Sequence, residues 1–372
     1  MNKKRFNLGV WAVSLLAGQA VADSDTDFDR DFGFDFVTIG DPGNEPYNDR
    51  SVLRGGVDYE YRIARNELSS GQYLEYFNLL LPKDLGTHAD LFPRGSSSLL
   101  EIGNGVPVWF MSGLVDPANA GVELNFKQAA MFCNWMHNGQ KDDIESLMDG
   151  AYDISTFGRD PDTGEHSDQS AHHPDARYWI PTYDELLKAS FYDPDKNGQG
   201  PGWWNYPHSS DEPAVIGLPG EGDVPRGMPL DELRAEFGSA VFYNTIPLGI
   251  YSEVQSPWGL LDTLGGTREW TETWEDDTHR RRLTRWSNNI NFVEDPDHIG
   301  MIWDVAPSNS GYGLRIASAI PPAADLDRNW KVDWFDVSYF LGRYLAGDLE
   351  VDLNDDLVLD GNDVFVFIDL LD

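Results

Sequence analysis

Two segments near the C-terminus repeat one another in register, and their side chains narrow what this part of the chain can become. The first reads Asp325-x-Asp327-x-Asn329-x-Lys331-x-Asp333-x-x-Asp336. The second reads Asp352-x-Asn354-x-Asp356-x-Val358-x-Asp360-x-x-Asp363. Their starts lie 27 residues apart, and side-chain oxygens occupy positions 1, 3, 5, 9 and 12 of both. Calcium takes about six to eight oxygen ligands, and such a loop supplies them, with the position-7 backbone carbonyls of Lys331 and Val358 completing the shell. The spacing predicts two calcium ions in a module over 325–372. The competing expectation is an acidic tail that binds calcium loosely or not at all. Each loop runs into an apolar helix, carrying Val337, Phe340, Leu341, Tyr344 and Leu345 in the first copy and Val364, Phe365, Phe367, Ile368 and Leu371 in the second. Position 6, where a sharp turn favours glycine and positive φ, holds Trp330 and Leu357, which predicts weaker binding.

The duplicated loop and helix resemble a type I dockerin, a small EF-hand-like module of cell-surface and polysaccharide-degrading assemblies. The resemblance implies two bound calcium ions and docking to a cohesin-like or other cell-surface protein partner. The positions that would choose that partner, Trp334-Phe335 and Gly361-Asn362, differ between copies.

The opposite end predicts export. Lys3, Lys4 and Arg5 precede an apolar run from Phe6 to Gly18, and Ala20-Val21-Ala22 forms a small-x-small cleavage site, so 1–22 reads as a signal peptide of a secreted, extracellular or periplasmic protein. The run is too short for a stable anchor, and no later segment reaches the roughly 20 apolar residues of a membrane span. With 63 acidic and 27 basic residues the net charge is −36, which repels phosphate backbones, so nucleic acid is not expected as a partner. A single cysteine, Cys133, excludes an intramolecular disulfide and a paired-thiolate metal site. It sits in an apolar helical stretch and reads as a buried, inert thiol.

Between the two ends the chain reads as α+β. Residues 23–34 form an Asp-rich, solvated lead-in. Val57–Ala64 alternates with period two and predicts a strand. Ser69-Ser70-Gly71-Gln72 caps a helix reaching about Leu81 with Tyr73, Phe77 and Leu80 on one face. A second helix spans about Phe126 to Asn138, and a third starts after the N-cap Thr182, with Asp184 and Glu185 in its first turn. Long stretches rich in Gly, Pro, Asp and His, 149–176 and 193–236, predict loops on a modest scaffold. Pro321-Pro322-Ala323-Ala324 reads as a linker, which places a large domain at 35–320.

Several segments of that domain, in order, resemble the formylglycine-generating (sulfatase-modifying factor) enzyme family. Val57 to Tyr73 is similar to its opening strand and helix, and Asn134-Trp135-Met136-His137-Asn138-Gly139 to its central helix end. Tyr178-Trp179-Ile180-Pro181-Thr182-Tyr183-Asp184-Glu185-Leu186 is similar to "RLPTEAEW". Ser256 to Trp270, SPWGLLDTLGGTREW, is similar to "SPYGLYDMGGNVWEW", and Gly313-Leu314-Arg315-Ile316-Ala317 to "GFRVA". The resemblance implies a loop-rich fold related to C-type lectins. It also implies copper held by two cysteines downstream of the tryptophan motif, where this chain has Leu283 to Asn289 and no cysteine, so copper and formylglycine generation are not expected. A family calcium site near the same motif would lose an oxygen ligand at Gly266. The leading expectation is therefore a non-catalytic domain that binds a glycan or protein ligand or acts as a surface scaffold. The alternative is an oxidoreductase of the same family, or of its non-haem iron relatives, using a non-thiolate metal site.

Other constellations are weaker. His166, His172 and His173 beside Asp168 and Asp175 are where such a metal would be sought, although a solvated loop is the default. Asp193-x-Asp195-x-Asn197-Gly198 copies half a calcium loop and reads as a turn. Trp203-Trp204-Asn205-Tyr206 reads as packing. Glu269 and Glu272 read as structural rather than as a glycosidase pair, and Arg280-Arg281-Arg282 as pairing with Glu275-Asp276-Asp277. No serine-nucleophile elbow and no phosphate-binding glycine loop is present.

Overall fold

The computed structural model describes residues 30–49, 52–80, 98–103, 106–111, 121–225, 228–237, 246–265, 267–285, 297–299, 304–308 and 310–371. The expected signal peptide, most of the acidic lead-in, Gly266 and Trp286 to Asn289 lie outside them.

The fold is α+β, with short strands and six α-helices among the described residues. In chain order the elements are β1 (Phe36–Ile39), β2 (Tyr47–Asp49), β3 (Val52–Arg54), β4 (Tyr61–Ala64), α1 (Ser70–Leu80), β5 (Ser98–Gly103), β6 (Val106–Met111), α2 (Phe126–His137), β7 (Tyr178–Trp179), α3 (Tyr183–Phe191), β8 (Tyr192–Asp193), β9 (Gly202–Trp203), α4 (Leu230–Phe237), β10 (Glu269–Trp274), β11 (Arg282–Arg285), β12 (Asp304–Ala306), β13 (Ala317–Ser318), α5 (Trp334–Ala346) and α6 (Gly361–Leu370). The main sheet runs β1-β4-β13-β7, all antiparallel, so Ala317 pairs with both Ile63 and Trp179 and the end of the large domain closes against its beginning. A three-stranded sheet, β10-β11-β12, stands beside it.

The helices begin where their caps predict. Thr182 and Glu185 form a reciprocal capping box on α3, and Asn125 and Gln128 form another on α2. On α1, Ser69 and Gln72 exchange the equivalent bonds at 3.1 Å. Nearly all of α2 is buried, with Cys133 fully so, and its buried polar residues are satisfied, Gln128 by the capping box and Asn134 by the backbone of Leu147 and Tyr152. Helix α3 serves two cores. Leu186 and Ala189 face the main one, and Tyr183, Leu187 and Phe191 form a second with Leu283 and Ile299.

Three expectations need correction. The strand expected from Val57 begins only at Tyr61. The Asn44 side chain accepts from Val57 N–H and donates to the Gly55 carbonyl, which takes this backbone out of any ladder. The lead-in is not solvated at its end: Phe32 packs edge-on to Trp135 at 4.8 Å, and Asp31 accepts from both Arg62 terminal nitrogens at 3.0 Å and from the Tyr178 hydroxyl. Arg282 does not join a surface pairing. It is fully buried, between the rings of Phe126 and Trp274 at 3.6 and 3.7 Å, whereas Arg281 pairs with Glu275.

Two motifs of the expected resemblance meet in the interior. Arg315 donates to Glu269 at 2.8 and 3.0 Å and to the carbonyls of Ala64 and Leu261. Gly313 is glycine for space, since a Cβ there would stand 2.7 Å from Glu67 Oε2.

Candidate functional site

The C-terminal module is built as two copies of one unit. Its core is Ala324, Phe340, Val351 and Phe367, with Phe340 and Phe367 stacked at 4.4 Å and 7°. Ala324 and Val351, like Phe340 and Phe367, are 27 residues apart, so repeat-equivalent positions pack on each other. Ala324, expected in the linker, is thus a core residue of the module.

The two loops share one hydrogen-bond pattern. The position-1 carboxylate accepts from the N–H of positions 5 and 6: Asp325 from Asn329 and Trp330, both at 2.9 Å, and Asp352 from Asp356 and Leu357 at 3.3 and 2.6 Å. The position-12 carboxylate accepts from position 9, Asp336 from Asp333 at 2.7 Å and Asp363 from Asp360 at 2.8 Å. It also reaches back to the position-2 N–H of Leu326 and Leu353. Asp333 and Asp360, at position 9, are the N-caps of α5 and α6. The loop is therefore held at both ends by the helix that follows it.

Positions 4 and 6 take left-handed backbone in both copies: Arg328 at φ 62° and Trp330 at φ 68°, Asp355 at φ 56° and Leu357 at φ 65°. The turn that glycine ordinarily makes is therefore made by a tryptophan and a leucine, which costs about 1–2 kcal/mol per residue.

The oxygens converge in the first loop. Asp325, Asp327 and Asp336 each offer one within 4.8 Å of the others, the only such group of three His, Cys, Asp or Glu residues among the described residues. Asp325 and Asp336 are buried and Asp327 is half-buried. Burial, followed by the charge of Asp336, holds the Asp327 carboxyl above its usual range. Carboxylates crowded in this way repel unless a cation is shared among them. The second loop carries the same four carboxylates and one amide, with the amide moved from position 5 (Asn329) to position 3 (Asn354).

The equivalence ends at the surfaces. Trp330 packs against the core of the large domain, edge-on to Tyr178 at 5.5 Å, with the guanidiniums of Arg30, Arg62 and Arg177 within 5.4–5.9 Å of its ring. Its counterpart Leu357 is 77% exposed. Around the module Trp334, Phe335, Leu345 and Phe365 are also exposed, at 66–83%.

The histidines singled out in the large domain do not converge. His172 stacks on Trp179 at 4.5 Å and meets Glu272 at 3.1 Å, His173 lies exposed beside Asp175, and His166 stands apart with Asp168. Glu272 accepts from the Tyr152 hydroxyl and the His172 N–H, and Glu269 is held by Arg315, so the two carboxylates belong to separate networks. In the half-loop, Asp193 accepts from the Trp204 indole and the chain turns through Asn197 at φ 56°. No helix among the described residues is long and apolar enough to cross a membrane.

No protein-family model matches the chain, and no curated protein matches it. One solved structure, "Crystal Structure of CarF", is similar over 78% of this chain and 99% of its own, at 17% identity and a TM-score of 0.46.

Proposed function

We propose that the chain is an exported calcium-binding protein in which a dockerin-like module presents a formylglycine-generating-enzyme-like domain at a protein partner. The single observation behind this reading is the repetition, bond for bond, of the position-1 and position-12 carboxylate contacts in the two loops. A shared backbone with oxygens at the same five positions is what a hard cation requires. Asp325, Asp327, Asn329, Asp333 and Asp336, with the Lys331 carbonyl, hold one calcium ion. Asp352, Asn354, Asp356, Asp360 and Asp363, with the Val358 carbonyl, hold the other. The exposed apolar residues of α5 and α6 form the docking face for a cohesin-like partner.

The large domain, read as C-type-lectin-like, binds a ligand without chemistry of its own. Its sole cysteine is fully buried in α2, with burial pushing the thiol well up, so the thiolate that formylglycine generation needs is not supplied.

Calcium titration of the chelator-treated chain by calorimetry tests the proposal. Two ions are expected, and Asp336→Asn and Asp363→Asn are each expected to remove one. No binding at millimolar calcium, or a stoichiometry unmoved by both substitutions, would overturn it.

A further inference from the structure

A cavity of about 270 Å³ opens at the N-terminal end of α2, far along the chain from the acidic loops and beside the buried Arg282. Its walls come from three places. Lys127 lies in the first turn of α2. Phe157, Arg159, His166 and Asp168 come from the irregular stretch 149–176. Ser308 follows β12 and is tied to the helix because its carbonyl accepts from Phe126 N–H at 3.0 Å. The volume sits just under the ~300–1,000 Å³ usual for small-molecule clefts, which suits a single ring and not a polymer segment.

Polar atoms in this wall are left without partners. His166 and Ser308 are 5% and 7% exposed, yet His166 Nε2 and Ser308 Oγ make no hydrogen bond among the described residues. Asp168 Oδ2, equally buried, has only longer contacts, 3.7 Å to the Arg282 guanidinium and 3.9 Å to His166 Nδ1. Buried polar atoms normally have partners, so three at one cavity mark a surface made to meet hydroxyl groups. Burial lowers the His166 pKa, so the neutral ring offers one donor and one acceptor.

The charge here runs against the rest of the molecule. In a chain of net charge −36, the cavity carries Lys127 and Arg159, and its one carboxylate, Asp168, already faces the buried Arg282. The positive end of the α2 dipole adds to the same sign. Phe157, half-buried and stacked on Phe126 at 6.0 Å and 13°, supplies a flat apolar wall.

We infer that this cavity binds a small hydroxylated carboxylate, the chemistry of a monomeric sugar acid. Its carboxylate meets Lys127 and Arg159, and its hydroxyls meet His166 Nε2, Asp168 Oδ2 and Ser308 Oγ. The inference deepens the ligand-binding reading of the large domain and rests on it, while the calcium reading is independent.

The test is calorimetric titration of the full chain, in saturating calcium, with D-glucuronate, D-glucose and acetate. Glucuronate is expected to bind at least tenfold more tightly than the other two. Ser308→Ala, which loses a hydroxyl contact, and Arg159→Gln, on the exposed rim, are each expected to weaken it fivefold or more. Both variants should keep the calcium stoichiometry and melting temperature of the parent, which shows that they fold. Equal binding of glucose would overturn the acid assignment. Glucuronate binding untouched by both variants would move the ligand elsewhere, overturning this site but leaving the ligand-binding reading standing. Absence of glucuronate binding would overturn the inference, and a glycan array probed with the same protein would then decide separately whether the domain binds any saccharide.

Discussion

The Arg30 guanidinium lies 2.6 Å from the Asp325 carboxylate, joining the start of the described chain to the first residue of the first acidic loop across 295 positions. Asp325 Oδ2 also accepts from the Trp330 N–H, and the Arg30 guanidinium lies over the Trp330 ring. One side-chain pair thus links the first acidic loop to the contact between module and large domain.

Removing Arg30 or Trp330 is expected to loosen that contact. Arg30→Ala and Trp330→Ala should each lower the stability of the docked module by about 1–3 kcal/mol, the range for a charge-assisted hydrogen bond or a partly buried aromatic contact. Because the Arg30 guanidinium lies over the Trp330 ring, their effects should be non-additive by about 0.5 kcal/mol or more, of order what contacting side chains show. Calorimetric melting of the two single variants and the double variant checks this, and strict additivity would contradict the shared contact.

Position 6 separates two effects that coincide in one copy. Leu357→Gly removes left-handed strain of about 1–2 kcal/mol, less the ~0.4–1 kcal/mol that glycine's freedom in the unfolded chain takes back. With a largely exposed side chain to lose, it should raise the melting temperature of the calcium-free module. Trp330→Gly relieves the same strain but forfeits the packing on Tyr178, and should lower it. If both shifts have one sign, the asymmetry described here is wrong.

Arg315 satisfies the buried Glu269 and three backbone carbonyls, those of Ala64, Arg65 and Leu261. Replacing it with Met leaves those groups unpaired, and a loss of about 3–5 kcal/mol is expected from chemical denaturation. A loss below ~1 kcal/mol would show that the pair does not hold the main sheet to the tryptophan motif.

The His172 pKa is pulled down by burial, but the hydrogen bond and charge of Glu272 outweigh this and leave it raised. A raised folded pKa stabilises the fold fully below the unfolded value of ~6.5, and the contribution disappears as pH rises through the folded value. Stability of the parent minus that of His172→Gln should therefore fall as pH rises above about 6.5. A difference that is flat or rises with pH would reverse the sign.

Cys133 is fully buried and its thiol pKa is pushed well up by burial, so thiol reagents should find nothing in the native chain and one thiol after denaturation. Rapid native labelling would place Cys133 in an opening segment.

Much of the architecture was legible in the residues because it is local. The capping pairs Thr182–Glu185 and Asn125–Gln128 act over three positions, and the 27-residue repeat carries its own spacing into the paired core of Phe340 and Phe367. What was not legible depends on partners distant in the chain. Arg282 reads as one of three surface cations, and only Phe126, Trp274 and Asp168 make it an interior one. The alternation beginning at Val57 reads as strand, and only Asn44 cuts it short. His166, His172 and His173 are neighbours in sequence and separated in space, because a loop sends adjacent side chains to different walls.

The sequence by itself determined where side-chain oxygens fall in two equal loops, because their spacing repeats within about a dozen consecutive residues. The tertiary structure alone decided that Trp330 is a docking residue and Leu357, at the same place in its loop, is not. The loop geometry is a property of the repeat, while burial of its sixth side chain is a property of whatever surface lies opposite.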